Sequence, residues 1–334
     1  MNILVLSAGT RNLVLRAFKE NLAEGDKLIA SDCSHYAPAL YEVDEYALIP
    51  RMDSPKYLEA VFELCENKKA DAVFSLIDPE LSVLAKHKER LLSSGTTPIV
   101  SPYELVETCL HKWQTKMLFE KNGLSTINTY TTLADFNKAL EAGEVEFPVF
   151  VKPEDGSASL NINVARDFEE VSVLFKHYDH LIIQEHMGEK QAEKNAPGIE
   201  ASYEIGADCY IDMLSGECVS IFTKKKLKMR AGETDKSVSF KDEKLFELIK
   251  GFVQNAGFRG MIDIDIFKRG EEYVFSEVNP RFGGGYPHAY ACGANFPKLL
   301  MTNMKGEANP AAIGDYEEGI VMMKYSDIVI KSNL

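Results

Sequence analysis

The run Ser276–Tyr286 (SEVNPRFGGGY) constrains this chain more than any other stretch. Glu277, Asn279 and Arg281 stand at alternate positions. On an extended strand, alternate residues share a face. A carboxylate, an amide oxygen and a guanidinium side by side suit a divalent cation and the phosphate oxygens it neutralises. Gly283, Gly284 and Gly285 follow, and glycine lets a backbone approach a ligand closely. The strand Tyr273–Asn279 pairs with Met261–Phe267 as a hairpin, and Asp263 and Asp265 share one face of that partner. An odd number of residues in the joining loop makes all four groups converge on one face; an even number separates them. A solvated edge hairpin is the bland alternative, above all for Asp263.

A chain of 334 residues exceeds one ordinary core, so two or three domains are expected. The 37 basic and 51 acidic residues leave a net charge of −14, which argues against nucleic acid as a general partner. Six cysteines are scattered with no Cys-x-x-Cys pair. They read as buried free thiols of a reducing cytosol. The chain opens directly into a short strand with no basic leader, and no apolar run approaches membrane-spanning length. A cytoplasmic protein without a membrane partner is expected.

The first part alternates strands and helices: Asn2–Ser7, Asn12–Leu22, Lys27–Asp32, Pro55–Asn67, Ala70–Asp78, Leu81–Leu92 and Pro98–Ser101. This pattern predicts an α/β unit with a parallel sheet and helices on both faces. Gly9 stands alone where a dinucleotide fingerprint needs three spaced glycines, so a nicotinamide cofactor is not expected. Pro102–Asn122 reads as one helix stopped by Gly123. The pattern then becomes α+β and mainly antiparallel. Short strands at Phe147–Pro153, Asn161–Ala165 and Leu181–Gln184 precede a polar loop, 188–198. A hairpin of Ser202–Met213 with Cys218–Lys224 follows. Asp242 and Gly257 bound a helix, Lys244–Ala256, as cap and stop.

Several residues carry weaker signals. Lys152 ends an apolar strand beside a loop with Gly156, Ser157 and Ser159, whose amides can cradle phosphate. Gln184, Glu185 and Met187 leave a buried strand, where exposed backbone can read the edge of a base. Lys112 falls late in the long helix. The basic run Lys224–Arg230 is either a solvated face or a set of cations for an anionic ligand. The histidines show no metal-ligand spacing, so zinc is not expected.

Taken in order, FPVFVKPEDGSAS, IIQEHM, KKKLKMRAGE, GMIDIDIF, FSEVNPRFGGGYPHAYACGANFP and GDYEEG resemble the ATP-grasp superfamily over nearly the whole chain. The branch they look most like holds the carbamoyl-phosphate synthase large subunit and carboxylate–amine ligases. The resemblance implies a Rossmann-like pre-ATP-grasp domain over 1–110, a small ATP-grasp subdomain over 111–187 and a large one with the metal site over 188–334. It implies Lys112 and Lys152 on the phosphates of ATP, and Gly156, Ser157 and Ser159 in a loop closing over them. Gln184, Glu185 and Met187 fall at the adenine. Asp208 falls at the ribose, with Glu200 as its rival. Asp265, Glu277 and Asn279 match the magnesium ligands, and manganese can replace that metal. Arg281 and Arg230 would stabilise the transferring phosphoryl group.

The implied activity is ATP-dependent joining of a small-molecule carboxylate to an amine through an acyl-phosphate. A nucleotide-binding sensor or synthase subunit without turnover of its own is the alternative. The N-terminal domain, around Ser7–Arg11 and Asp78–Glu80, is expected to help line the substrate pocket. The sequence leaves the substrates open, and the oligomeric state too, a homodimer included.

Overall fold

The computed structural model describes residues 1–156, 161–187, 204–230 and 232–332. The N-terminal unit runs β1 (Asn2–Leu6), α1 (Asn12–Lys19), β2 (Lys27–Asp32), β3 (Glu45–Leu48), α2 (Tyr57–Lys68), β4 (Ala72–Ser75), α3 (Asp78–Lys86), α4 (Lys88–Ser93) and β5 (Thr97–Pro98). Its five strands are all parallel, in the order β3-β2-β1-β4-β5. Strands buried on both faces read as unbroken apolar runs, which is why NILVL and AVFS were legible. Leu4, Leu6, Phe62 and Leu84 close one face of the sheet. On the other, Phe18 and Phe74 pack with Phe282, whose ring centroid lies 5.7 Å from that of Phe18 and 5.8 Å from that of Phe74. The glycine-rich run is therefore anchored directly on the N-terminal sheet.

The next elements are α5 (Tyr103–Leu110), α6 (Lys112–Lys121), β6 (Ser125–Thr126), β7 (Thr129–Tyr130), α7 (Leu133–Ala142), β8 (Val149–Pro153), β9 (Asn163–Ala165), α8 (Phe168–His177) and β10 (Leu181–Glu185). The single helix predicted from Pro102 to Asn122 is two helices. His111 leaves the helical conformation (φ −105°, ψ 112°). Its backbone bridges Asp155, and the Lys112 N–H donates to the Glu154 carbonyl at 2.9 Å. Lys112 therefore starts a helix rather than sitting late in one. A four-stranded antiparallel sheet, β7-β10-β8-β9, closes over Phe136, Val149, Val151, Val171 and Ile183. Helix α6 instead packs on the larger sheet, with the Phe119 ring centroid 5.4 Å from that of Phe275.

The larger sheet is built from β11 (Glu204–Ile211), β12 (Cys218–Arg230), β13 (Glu233–Phe240), α9 (Glu243–Ala256), β14 (Gly260–Arg269), β15 (Glu272–Asn279), α10 (Tyr286–Ala291), α11 (Phe296–Met304) and β16 (Val321–Met323). Its seven strands are ordered β16-β13-β12-β11-β14-β15-β6 and are antiparallel except for the β15–β6 pair. The expected fold class, a parallel α/β unit followed by antiparallel sheets, is the one observed. The basic run is solvated only at its end: β12 carries it through Arg230, Lys224 and Lys226 are buried, and Lys228 and Arg230 are exposed. All six cysteines are free and most are buried, but Cys33 is exposed.

Helix α9 is capped as expected. Asp242 accepts a hydrogen bond from the Leu245 N–H, and Gly257 closes the helix at φ 86°. The other Asp242 oxygen accepts from the Tyr273 hydroxyl at 2.6 Å. Burial alone would raise the Asp242 carboxyl; the hydrogen bonds from Tyr273 and Leu245 outweigh it and hold the group below its ordinary range. Its stabilisation is present above the ordinary aspartate pKa and is lost as pH falls through the depressed value. Urea titration of Asp242→Ala should show a loss of about 1–2 kcal/mol. An unchanged midpoint would remove the cap from the list of supports.

Candidate active site

The hairpin that carries the proposed metal ligands works only because it contains an irregularity. Strands β14 and β15 are joined by Gly270 and Glu271 alone, and near the turn Lys268 pairs with Tyr273 and Ile266 with Phe275. A two-residue loop is even, and by parity it would set Asp265 opposite Ser276. The register shifts between Asp265 and Ile266. One extra residue, Ser276, is left over in β15, as in a β-bulge. Beyond it Asp265 pairs with Glu277 and Asp263 with Asn279. Directly paired residues point to the same face, and all four side chains line one cavity of about 510 Å³.

The two sheets supply opposite walls of that cavity. Val149, Val151 and Ile183 point into the small core, so Phe150 and Lys152 on β8 and Gln184 on β10 face the other way and line the cavity. Ile127, Ile162, Met187 and Phe267 add apolar surface. Arg269 fixes the strand exit: its Nη2 donates to Glu185 Oε2 at 2.8 Å and to Met187 Sδ at 3.0 Å. Gln184 donates from Nε2 to Thr129 Oγ1 at 3.2 Å. Lys112 Nζ donates to the Gly156 carbonyl at 2.8 Å. That bond, the Lys112 N–H to Glu154 contact and the His111–Asp155 side-chain hydrogen bond fasten the base of the loop to the start of α6. Ser157 and Ser159 lie outside the described residues.

The two lysines are poised against anions. Burial lowers the Lys152 ammonium to about 8; Glu277 opposes the shift, Lys112 adds to it and Asp265 opposes it. Burial also lowers Lys112, against Glu277, Asp155 and Glu154. Half-buried cations without full compensation favour a bound polyanion.

Two expected residues are not brought to the cavity. Asp208 is buried against Lys224, both side chains about 1–2% exposed. It is not among the cavity-lining residues, so the structure does not place it to hold a ribose. Glu204, on the same face of β11 nearer the opening, lines the cavity instead; Glu200 lies outside the described residues. Arg230 is 55% exposed and pairs with Asp235 at 2.9 Å. Register shifts on either side of Lys228 reverse the alternation of β12. Met229 consequently lines the cavity and Arg230 does not.

Arg281 does line the cavity, but its guanidinium is already engaged. Its Nε lies 3.0 Å from Asp78 Oδ1 and its Nη1 3.4 Å from Asp263 Oδ2, and Nη2 donates to Asp78 Oδ2 at 3.1 Å. Asp265 is likewise paired, with Lys226 Nζ at 2.6 Å, and that ammonium also donates to Glu204 at 2.6 Å. Burial works against the Lys226 charge, but Asp265 and Glu204 outweigh it and hold the group above its ordinary range. Burial pushes the Asp265 carboxyl up, with Lys226 opposing.

The residues not singled out in the sequence are Glu204, Ile127, Ile162 and Phe267, while Lys226 was named only within the basic run. Lys226 was within reach: continuing the hairpin strand through the basic run puts Lys224 and Lys226 on one face. The expected Arg11 and Asp78 do line the cavity.

The three glycines have a steric cause. A Cβ at Gly283 would lie 2.4 Å from Asp263 Oδ1, one at Gly284 3.0 Å from Arg11 Nη1, and one at Gly285 2.6 Å from Lys224 Cε. The backbone there is pressed against three charged side chains, and any larger residue would displace them.

Among the described residues, no group of three or more His, Cys, Asp or Glu side chains could hold a metal alone. Glu277 and Asn279 nevertheless present hard oxygen donors beside two lysines. That fits magnesium, which takes few protein ligands and completes its octahedron with phosphate oxygens and water.

Comparison with known proteins agrees with this geometry. Residues 3–99 match the family model "PylC-like, N-terminal domain", and residues 201–328 match "ATP-grasp in the biosynthetic pathway with Ter operon". A carbamoyl-phosphate synthase of Methanobrevibacter smithii is 28% identical over 282 residues, 81% of this chain and 72% of that protein. Among solved structures, the biotin carboxylase domain of Hydrogenobacter thermophilus 2-oxoglutarate carboxylase, in complex with MgADP, superposes with a TM-score of 0.71 at 17% identity, covering 96% of this chain and 73% of that one. N5-carboxyaminoimidazole synthetase of Staphylococcus aureus, complexed with ADP, gives 0.71 at 14% identity, with 93% and 78% covered. An L-amino acid ligase of Bacillus licheniformis gives 0.66 at 19%, with 92% and 77% covered. The chain thus resembles ATP-grasp proteins: residues 201–328 match an ATP-grasp family model, and the whole chain shares the fold of these structures.

Two outcomes follow from the geometry. Replacing Glu277 by Ala removes the carboxylate that the bulge brings opposite Asp265. Calorimetric titration with magnesium and a non-hydrolysable ATP analogue should then show at least a tenfold loss of affinity, roughly the loss of one charge-assisted contact, with an unchanged circular dichroism spectrum. Retained affinity would show that Glu277 does not serve the bound nucleotide. Affinity for the same ligand should also fall as pH rises through about 8, where Lys152 loses its proton. The Lys152→Met variant should lack that step.

Proposed function

We propose that this protein joins a carboxylate to an amine with hydrolysis of ATP to ADP and phosphate. The observation that carries the reading is the bulged hairpin. It sets Glu277 and Asn279 across one cavity from Lys112 and Lys152, with no activated nucleophile needed. Phosphoryl transfer asks the protein for positioning and charge neutralisation, and those are what this cavity supplies.

The apolar wall of Phe150, Met187 and Phe267 takes the adenine, with the strand exit at Gln184 and Glu185 at its edge. Lys112, Lys152 and the loop at Gly156 take the phosphates. Glu277 and Asn279, with Asp265 facing them, are the residues that would hold magnesium or manganese, which when bound neutralises phosphate charge. Arg281, held in place by Asp78 and Asp263, orients the acceptor end next to the transferring group.

In the first step a carboxylate oxygen of the substrate attacks the γ-phosphorus, and the bond to the ADP oxygen breaks. In the second the amine nitrogen attacks the acyl carbon, phosphate leaves, and the nitrogen gives up a proton. Lys152 stabilises the charge that develops on the phosphoryl oxygens. The carboxylate and amine are small molecules.

The test is release of ADP in the presence of candidate carboxylates and amines. ADP should form only when a carboxylate is present, and Lys152→Met should lower turnover by about 100- to 1000-fold. Nucleotide binding with no carboxylate-dependent ADP release would overturn the ligase reading and leave a nucleotide sensor.

A further inference from the structure

The oxygen donors of the β14–β15 hairpin are not equally free. Asp263 and Asp265 stand opposite Asn279 and Glu277, which puts three carboxylates and an amide on one cavity wall. Phosphoryl-transfer sites with that many hard oxygens commonly hold two divalent cations, about 3.5–4 Å apart. Here cations of the protein itself already engage two of the four donors.

Asp265 Oδ1 accepts from Lys226 Nζ at 2.6 Å, and the same ammonium donates to Glu204 Oε1 at 2.6 Å. The Lys226 side chain is only 6% exposed. It starts on β12 and reaches Asp265 across β11, passing over Gly206, which pairs with Lys224 on one side and Asp265 on the other. A Cβ on Gly206 would lie 3.2 Å from Lys226 Cε and crowd that path. Burial works against the ammonium charge, but Asp265 and Glu204 outweigh it, so the group stays charged well above neutral pH. Asp263 is engaged too. Arg281 Nη1 lies 3.4 Å from its Oδ2, and the Gly283 backbone presses on its Oδ1, where a Cβ would lie at 2.4 Å. The side chains of Glu277 and Asn279 have no hydrogen bond or ion pair among the described residues. A divalent ion on Asp265 would meet the Lys226 ammonium at hydrogen-bond distance from the same carboxylate, and like charges so placed repel strongly where water is scarce.

We infer that Lys226 stands in for a second divalent cation: its ammonium, clasped by Glu204 and Asp265, supplies the positive charge at that end of the hairpin, and the site takes a single magnesium or manganese ion per nucleotide, on Glu277 and Asn279. The inference rests on the nucleotide and metal part of the ligase reading and narrows it. Asp265 faces that ion from behind the ammonium. Part of the charge that meets the phosphates is thus built into the chain and does not vary with the concentration of free metal.

Manganese is the probe. Equilibrium dialysis of the full chain, with a saturating non-hydrolysable ATP analogue on both sides of the membrane, counts the ions held per chain. The electron paramagnetic resonance spectrum shows whether two of them lie close enough to couple. The wild-type protein should hold one ion with no spin coupling. Lys226→Met, which frees both carboxylates, should hold two coupled ions, the second about 10- to 100-fold tighter than any further ion the wild type takes up, the gain of one charge-assisted contact. Lys226→Gln, whose amide can bond the carboxylates without a charge, should also hold two and serves if Lys226→Met does not fold. Lys226→Arg, which keeps the charge, should hold one. Two coupled ions in the wild type, or a single ion in a folded Lys226→Met or Lys226→Gln protein, would overturn the inference and leave the nucleotide reading standing. No manganese retained by the wild type in the presence of the analogue would overturn that reading itself.

Discussion

A buried alternation of charge across three neighbouring strands supports the rest of this site. Strand β11 offers Glu204 and Asp208, β12 offers Lys224 and Lys226, and β14 offers Asp263 and Asp265. Lys224 pairs with Asp208, and Lys226 reaches both Glu204 and Asp265. The last contact crosses β11, which separates β12 from β14. It crosses over Gly206, where a Cβ would lie 3.0 Å from Lys224 Cε and 3.2 Å from Lys226 Cε. A single missing methyl group thus lets two lysines lie over the central strand. Removing one member of such a buried pair costs about 3–5 kcal/mol, because its partner keeps an uncompensated charge. Buried ion pairs give weak net stability compared with well-packed apolar residues. Their use here is positional: they fix the hairpin acids at the edge of the cavity.

The same economy of position joins the two halves of the chain. Phe282 sits on the N-terminal sheet against Phe18 and Phe74, and the neighbouring Arg281 is clasped by Asp78 at the start of α3. The residues just after the β14–β15 hairpin are therefore set by the N-terminal unit as much as by the sheet they come from. The side chains of Arg11 and Asp78 and those of Glu277 and Asn279 are thus referred to one rigid junction. That matters for phosphoryl transfer, where misplacement of about 1 Å costs about 100-fold.

The parts of this arrangement legible in the sequence are those that follow from local rules. The parallel sheet was readable because doubly buried strands are continuous apolar runs. The cap at Asp242 and the stop at Gly257 follow from helix-end chemistry. Glu277, Asn279 and Arg281 were readable from strand periodicity. The remainder depends on contacts distant in sequence. Parity from a two-residue turn points the wrong way, and only the bulge at Ser276 restores convergence. His111 breaks a helix because its backbone bridges Asp155, and that turns Lys112 from an inner helical position into an anchor of the loop at Gly156. The irregularity at Lys228 turns Arg230 outward, and Lys224 covers Asp208. Register shifts and long-range salt bridges leave no periodic trace, which is why these positions were misjudged.

The most direct measurement is a crystal structure grown with manganese and ADP, in which anomalous scattering locates the ion without a known substrate. The expected result is an ion about 2.1 Å from side-chain oxygens of Glu277 and Asn279, phosphates against Lys112 and Lys152, and the adenine between Phe150 and Met187. An ion bound away from that hairpin, or a nucleotide seated at the ends of β1 and β4, would contradict it.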